Sequence, residues 1–154
     1  MRIALGADHA GVTLKDDLAR WLTGRGVPFT DFGTHGGESV DYPDFAAAVA
    51  HAVASGAYDR GLLVCGSGIG MAIAANKVPG IRAAGVTEAE SARLGRSHND
   101  ANILALGARL TPPALAREIV TTFLETPFEG GRHQRRVDKL SALDAASAHP
   151  QPRD

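Results

Sequence analysis

The run Gly61-Leu62-Leu63-Val64-Cys65, followed at once by Gly66-Ser67-Gly68-Ile69-Gly70, decides the fold. It has no charged or strongly polar side chain before the turn and no alternation that would mark a wet face, so it reads as a strand buried on both sides. The glycine-rich turn stops that strand and opens a helix expected from about Gly70 to Lys77.

Outward from this unit the same alternation recurs. Strands are expected at Arg2–Ala7, Pro28–Phe32, Ile81–Val86 and Ile103–Leu106. A helix is expected from about Thr13, where Leu14, Leu18, Trp21 and Leu22 share a face, and others over Asp44–Ser55, Glu88–Arg96, Pro112–Glu125 and Arg132–Leu143. Strands alternating with helices at this spacing imply a parallel sheet covered on both faces. The fold class is therefore α/β, a Rossmann-like (flavodoxin-like) three-layer sandwich with a five-stranded parallel sheet. One domain is expected over residues 1–144, with a flexible tail over 145–154 that carries Pro150 and Pro152.

Composition narrows the function. The chain has 154 residues, 44% hydrophobic and 21% charged, which suits one globular domain with a sizeable core. A net charge of -1 without long charged runs gives no electrostatic basis for binding nucleic acid or a membrane surface. No apolar stretch approaches a membrane span, and the start lacks the long apolar region of a signal peptide. A single cysteine makes neither an internal disulfide nor, without several histidine partners, a structural zinc site. A cytoplasmic protein is the natural reading.

Sheets of this kind bind ligands beyond the carboxyl ends of their strands, where Asp8-His9 and Cys65 to Gly70 fall. A cysteine at a strand end is most often a small buried hydrophobe. Cys65, however, precedes a turn whose unpaired N–H groups and helix dipole favour anions, surroundings that increase the thiolate fraction. A functional role therefore comes ahead of packing. The turn begins like a dinucleotide fingerprint, but Met71 stands at the place of its last glycine. No Gly-Lys-Ser/Thr follows as in a P-loop, and no arginine before Lys77 closes a phosphatase loop. A nest of N–H groups able to hold an oxyanion and a purely structural turn both stand at this point.

In Gly130-Gly131-Arg132-His133-Gln134-Arg135-Arg136, Arg132 and Arg136 lie four apart and share a helical face. Cations at a helix N-terminus oppose its dipole unless an anion sits nearby, and a phosphate gripped by both guanidinium groups would resolve the conflict. A solvated basic face is the plainer alternative, and suits Arg135 and Lys139. In Ser97-His98-Asn99-Asp100-Ala101-Asn102, Asn and Asp suit turns, while His98 is the side chain best fitted to proton transfer near neutrality.

Together these stretches resemble the type B ribose-5-phosphate isomerases, grouped with the galactose-6-phosphate isomerase subunits and the allose-6-phosphate isomerases. The resemblance rests on Gly6-Ala7-Asp8-His9-Ala10-Gly11, Asp41-Tyr42-Pro43, Cys65 to Gly70, Ala74-Ala75-Asn76-Lys77, Gly80-Ile81-Arg82-Ala83, His98 to Asn102 and Glu129 to Arg136. It covers nearly the whole chain to about Leu143. It implies an aldose–ketose isomerase that needs no metal or organic cofactor. Cys65 matches the proton-abstracting base, His98 the residue of ring opening and proton donation, and Ser67 a loop position where many relatives have threonine. Asp8, His9, Tyr42, Gly66, Ser67, Gly68, Ile69, Gly70 and Asn99 match substrate contacts, and Arg109, Arg132 and Arg136 the phosphate side. Some relatives use a glutamate where Met71 stands; Met71 takes no proton, which leaves the base to Cys65.

His98 precedes the strand Ile103–Leu106, whereas Cys65 follows its own strand, so one parallel sheet places them roughly 15 Å apart at opposite edges. Either the strand order differs or His98 serves a neighbouring subunit. The family's dimers draw each site from both subunits, which implies a homodimer, with pairing into a tetramer left open. Ribose 5-phosphate is the default substrate; allose 6-phosphate, galactose 6-phosphate and a tetrulose 4-phosphate are alternatives. A phosphate-binding regulatory module is the alternative from another class, and a cysteine phosphatase is a weaker one.

Overall fold

The computed structural model describes residues 1–147. Its strands are β1 (Ile3–Ala7), β2 (Phe29–Asp31), β3 (Arg60–Cys65), β4 (Ala83–Gly85) and β5 (Ile103–Gly107), all parallel in one sheet ordered β2-β1-β3-β5-β4. The helices are α1 (Val12–Gly24), α2 (Tyr42–Ala54), α3 (Ile69–Ala75), α4 (Ala89–Asn99), α5 (Pro113–Glu125) and α6 (Arg132–Ser147). The α/β three-layer class expected from the sequence holds. α6 continues to Ser147, past the expected end at Leu143, and residues 148–154 of the expected tail lie outside the described residues. No helix among the described residues is long and apolar enough to cross a membrane.

The period-two geometry of strands sorts the core into two layers. Leu5, Leu62, Val64, Leu104 and Leu106 face α1 and α5, where they meet Leu18, Leu22, Ile119 and Phe123. Ala4, Leu63, Cys65, Ile103 and Ala105 face α2 and α3, where they meet Val49, Ala50, Met71 and Ala75. Each fully buried leucine contributes roughly 1.5–3 kcal/mol. Cys65 thus points to the layer that contains α3, the helix opened by its own glycine turn.

Besides the ends of α3 (Ala75, not Lys77) and α6, three boundaries differ from expectation in ways that bear on the site. α2 starts at Tyr42 rather than Asp44, because Pro43 sits in the first turn, where its missing N–H costs nothing. α4 runs to Asn99, so His98 and Asn99 form its last residues instead of a loop; Asp100 then ends it in the left-handed region at φ 48°. β4 is shorter than Ile81–Val86 and lies partly exposed at the sheet edge, while the fully buried β5 takes the inner place beside β3.

Candidate active site

β1 and β3 are neighbours, with Ala7 opposite Val64, yet the chain leaves them toward opposite sides of the sheet. That divergence opens a crevice at their carboxyl ends. Asp8, only 7% exposed, stands there and donates its backbone N–H to the Val64 carbonyl at 3.2 Å. Its Oδ1 accepts from the amides of Ala10 (3.0 Å) and Gly11 (3.1 Å), a turn that launches α1. Gly11 is required because a Cβ would strike the Val64 carbonyl. Beside Asp8, His9 accepts the Val40 N–H on Nδ1 at 3.2 Å, which leaves Nε2 to donate in the neutral ring.

The second wall is the loop after β3. Cys65 is buried, and its Sγ accepts the Gly68 N–H at 3.1 Å. Gly68 adopts φ 80°, and Ser67 Oγ accepts the Ile69 N–H at 3.3 Å. The end of β5 holds the loop: Ala108 N–H donates to the Cys65 carbonyl (2.8 Å) and Arg109 N–H to the Gly66 carbonyl (3.1 Å). Side chains then pack on the glycines. A Cβ on Gly66 would lie 2.8 Å from Arg109 Nη1, and one on Gly70 would lie 2.7 Å from Tyr42 Cζ. The amides of Ser67, Gly70 and Met71 donate to no acceptor among the described residues, so a sulfur that accepts a hydrogen bond stands beside a set of free N–H donors.

A second cluster forms where α4 meets α6. Arg96, 2% exposed, donates to Asp100 Oδ1 (2.8 Å) and to the carbonyls of Ala101 (2.6 Å) and Thr126 (3.3 Å). Arg82 binds the Asn99 and Asp100 carbonyls, and Asn102 ties Arg82 to Gly80. Within the polar stretch Ser97–Asn102, Asp100 and Asn102 therefore build the turn, while His98 is left to stack on His133 with ring centroids 4.2 Å apart. Burial, then the neighbouring His98 and Arg132 charges, hold the His133 pKa below the ordinary histidine value; Glu129 opposes this and Arg136 adds to it. Arg132 and Arg136 are exposed on the first turns of α6, and with Arg109 they form no ion pair among the described residues.

The expected site residues thus fall into two groups. Asp8, His9, Tyr42, Cys65 to Gly70 and Arg109 gather at the carboxyl ends of β1, β3 and β5. His98, Asn99, Arg132 and Arg136 gather at the other end. Gly61 pairs with Ile103 and Cys65 with Gly107, so the start of β5 lies four residues back along β3, about 13 Å away. A different strand order therefore does not explain the gap.

Residues 3–140 match the family described as Ribose/Galactose Isomerase. The chain belongs to this family. It is 48% identical over 143 residues to ribose-5-phosphate isomerase B of Escherichia coli K12, covering 93% of this chain and 96% of that one. It is 43% identical over 150 residues to a D-erythrulose-4-phosphate isomerase of Pectobacterium atrosepticum, covering 97% and 99%. Its structure is similar to that of Clostridium thermocellum ribose-5-phosphate isomerase B, with a TM-score of 0.94 at 54% identity over 96% of this chain and 99% of that one. As a member of this family the protein is an aldose–ketose isomerase of sugar phosphates.

His133 lies within Gly130–Arg136, yet nothing in the sequence itself assigns it a role. A buried histidine inside a basic helix leaves no periodic signal; only its distance of three residues from Gly130, the last glycine but one before α6, hints that it turns back on α4.

Proposed function

We propose that the protein interconverts ribose 5-phosphate and ribulose 5-phosphate through an enediolate, in the cytoplasm and as a homodimer whose sites combine both groups of residues. The observation that carries this reading is the Cys65 sulfur held by the Gly68 amide inside a loop of free N–H donors, with Arg109 packed over it. Cys65 removes the proton from C2 of the open-chain aldose, and a proton is returned at C1 while the carbonyl passes from C1 to C2. One carbon is oxidised as its neighbour is reduced, so the step needs no external electron acceptor. The loop amides stabilise the developing oxyanion, each good donor contributing roughly 3 kcal/mol, and base action contributes roughly 100- to 10,000-fold. Ser67 lends its backbone N–H to this set, and Met71, next along α3, cannot compete as base.

His98 of a second subunit opens the furanose, since only the open chain has the carbonyl that acidifies the neighbouring C–H. Asp8, His9, Tyr42 and Asn99 hold the sugar, and Arg109, Arg132 and Arg136 hold the phosphate, which supplies the anion that the first turns of α6 otherwise lack. The strand-length gap between the two groups supports the shared site. So do the exposed apolar side chains Ile69 and Ile73 on α3 and Leu140 and Leu143 on α6.

The test mixes two dead variants. Cys65→Ala and His98→Asn should each lose nearly all turnover alone. Equal amounts unfolded and refolded together should regain about a quarter of wild-type activity, because half the dimers then carry one intact site. Near-normal turnover in Cys65→Ala removes the base assignment; silence in the mixture removes the shared site. Similarity to a D-erythrulose-4-phosphate isomerase favours a four-carbon substrate as the second reading. Turnover efficiencies across aldose and ketose phosphates of four to six carbons decide between them.

A further inference from the structure

His98 does not stand free at the end of α4. Its ring lies against that of His133 with centroids 4.2 Å apart and planes 12° from parallel. His133 is 6% exposed, in the first turn of α6, and its backbone N–H donates to the Gly130 carbonyl at 3.0 Å. Gly130 (φ 64°) and Gly131 (φ 55°) both occupy the left-handed region, and that double turn swings α6 back over α4. The same loop is bound to the helix that carries His98: the Glu129 N–H donates to the Ser97 carbonyl at 3.0 Å, and buried Arg96 reaches the Thr126 carbonyl. Both rings are therefore mounted on one braced unit.

His98, Glu129 and His133 also bring one ligand atom each within 4.8 Å of one another. A four-coordinate zinc ion with bonds near 2 Å needs donors about 3.3 Å apart whose lone pairs converge. Nearly parallel rings send their lone pairs side by side. The arrangement is a stack, not a chelate.

We propose that His133 is a positioning residue for His98, a fixed aromatic plate that holds the His98 ring in the one orientation from which it opens the sugar. The inference rests on the reading of His98 as the ring-opening group. Packing against a plate leaves the ring free to slide but not to tilt, so its nitrogen edge keeps one direction. The charges around the plate suit that task. His98 faces it from α4, Glu129 from the loop, and Arg132 and Arg136 from α6; the Glu90–Arg93 pair on α4 acts on its surroundings instead, Glu90 lying near His98 and Arg93 near Glu129. Burial first, then the His98 and Arg132 charges, disfavour a proton on His133, so the plate does not add a second cation against the His98 ring.

The test compares His133→Ala and His133→Phe with His98→Asn in the full chain, using turnover on ribose 5-phosphate and the NMR signals of the His98 ring. His133→Ala should lower kcat roughly threefold to tenfold, the population ratio a stacked aromatic pair sustains, with KM within twofold. His133→Phe keeps the plate without the nitrogens and should restore most of the turnover. The ring-current shift of the His98 protons should vanish in the alanine variant and persist in the phenylalanine one. Wild-type turnover in His133→Ala, with His98→Asn impaired, overturns the inference alone. A phenylalanine variant that folds and keeps the shift, yet is as slow as the alanine variant, overturns it too, because His133 would then act through its nitrogens. Wild-type turnover in His98→Asn instead removes the reading beneath it. Thermal denaturation of each variant separates these results from simple unfolding.

Discussion

Gly68→Ala perturbs the loop geometry while leaving every reacting side chain in place. At φ 80° an alanine sits in the left-handed region, which costs roughly 1–2 kcal/mol. Its Cβ would also lie 2.9 Å from the Leu106 carbonyl carbon and 3.1 Å from the Gly107 nitrogen. These are backbone atoms of a fully buried strand, so the loop must move rather than the strand, and the total cost comes to about 3 kcal/mol. For a chain of this size that lowers the midpoint of thermal unfolding by roughly 6–12 °C. Movement of the loop breaks the Gly68 N–H contact to Cys65 Sγ and misaims the free amides, so kcat should fall about 100- to 1,000-fold. KM should change little, since the arginines stay in place. Gly26→Ala is the control: its φ is 68°, but nothing lies within 4 Å of the added Cβ. That variant should lose about 1 kcal/mol and no activity. Initial rates at saturating and limiting ribose 5-phosphate, with calorimetry of both variants, supply the comparison. A Gly68→Ala enzyme that keeps its kcat would refute the idea that this loop geometry carries the chemistry.

Two further outcomes follow from buried charge. Lys15 is fully buried against Asp31 and Asp16, and Asp31 also accepts the Gly33 N–H at 2.8 Å. Asp31→Asn strands the ammonium and should cost about 3 kcal/mol, a low value for a broken buried pair because Asp16 remains, whereas Lys15→Met should cost less than half of that by urea denaturation. The lowered pKa of His133 gives stability a pH dependence of definite sign. The unfolded chain protonates this group near 6.5 while the folded chain resists, so stability is full above that value and declines as the pH falls toward the lowered folded value; His133→Phe should flatten that part of the curve.

Much of the fold was legible because β3 and the helix pattern carry strong, unambiguous periods. Leu62 and Val64 face one layer and Leu63 and Cys65 the other, as an uninterrupted apolar run requires. The strand order was not legible. Placing β5 inside β4 depends on how much of each strand can be buried, and Ala83-Ala84-Gly85 reads much like any short apolar segment. The last turn of α4 was missed because Ser97-His98-Asn99-Asp100 has turn-like composition. Only the contacts of Arg96 with Asp100 and Ala101, and the longer-range reach of Arg82 to Asp100, show that the turn proper is Asp100 to Asn102. In the candidate site, Arg109 was expected on the phosphate side, away from the glycine loop, and the structure packs its guanidinium on Gly66. The acceptor role of Asp8 Oδ1 is local, a turn to Ala10 and Gly11 of the kind Asp favours, whereas the stacking of His133 rests on a contact with no local sequence signal.

The division of the site follows from the architecture rather than from an accident of loops. In a parallel sheet every strand delivers its carboxyl end to the same edge, and the connecting helices carry the chain back to the opposite edge. The proposed base at the end of β3 and the proposed acid on the last turn of α4 therefore lie at opposite edges of one subunit, whatever the loop lengths. Moving His98 to the Cys65 edge within one subunit would require α4 to run the other way, which its connections to β4 and β5 forbid. A two-fold axis solves the problem at no cost in fold, because it sets one edge of a subunit against the other edge of its copy and creates two equal sites at once. On this reasoning, turnover is a property of the assembly. Dilution well below the dissociation constant of the dimer should lower activity in proportion to the dimer that remains, before any loss of secondary structure is seen.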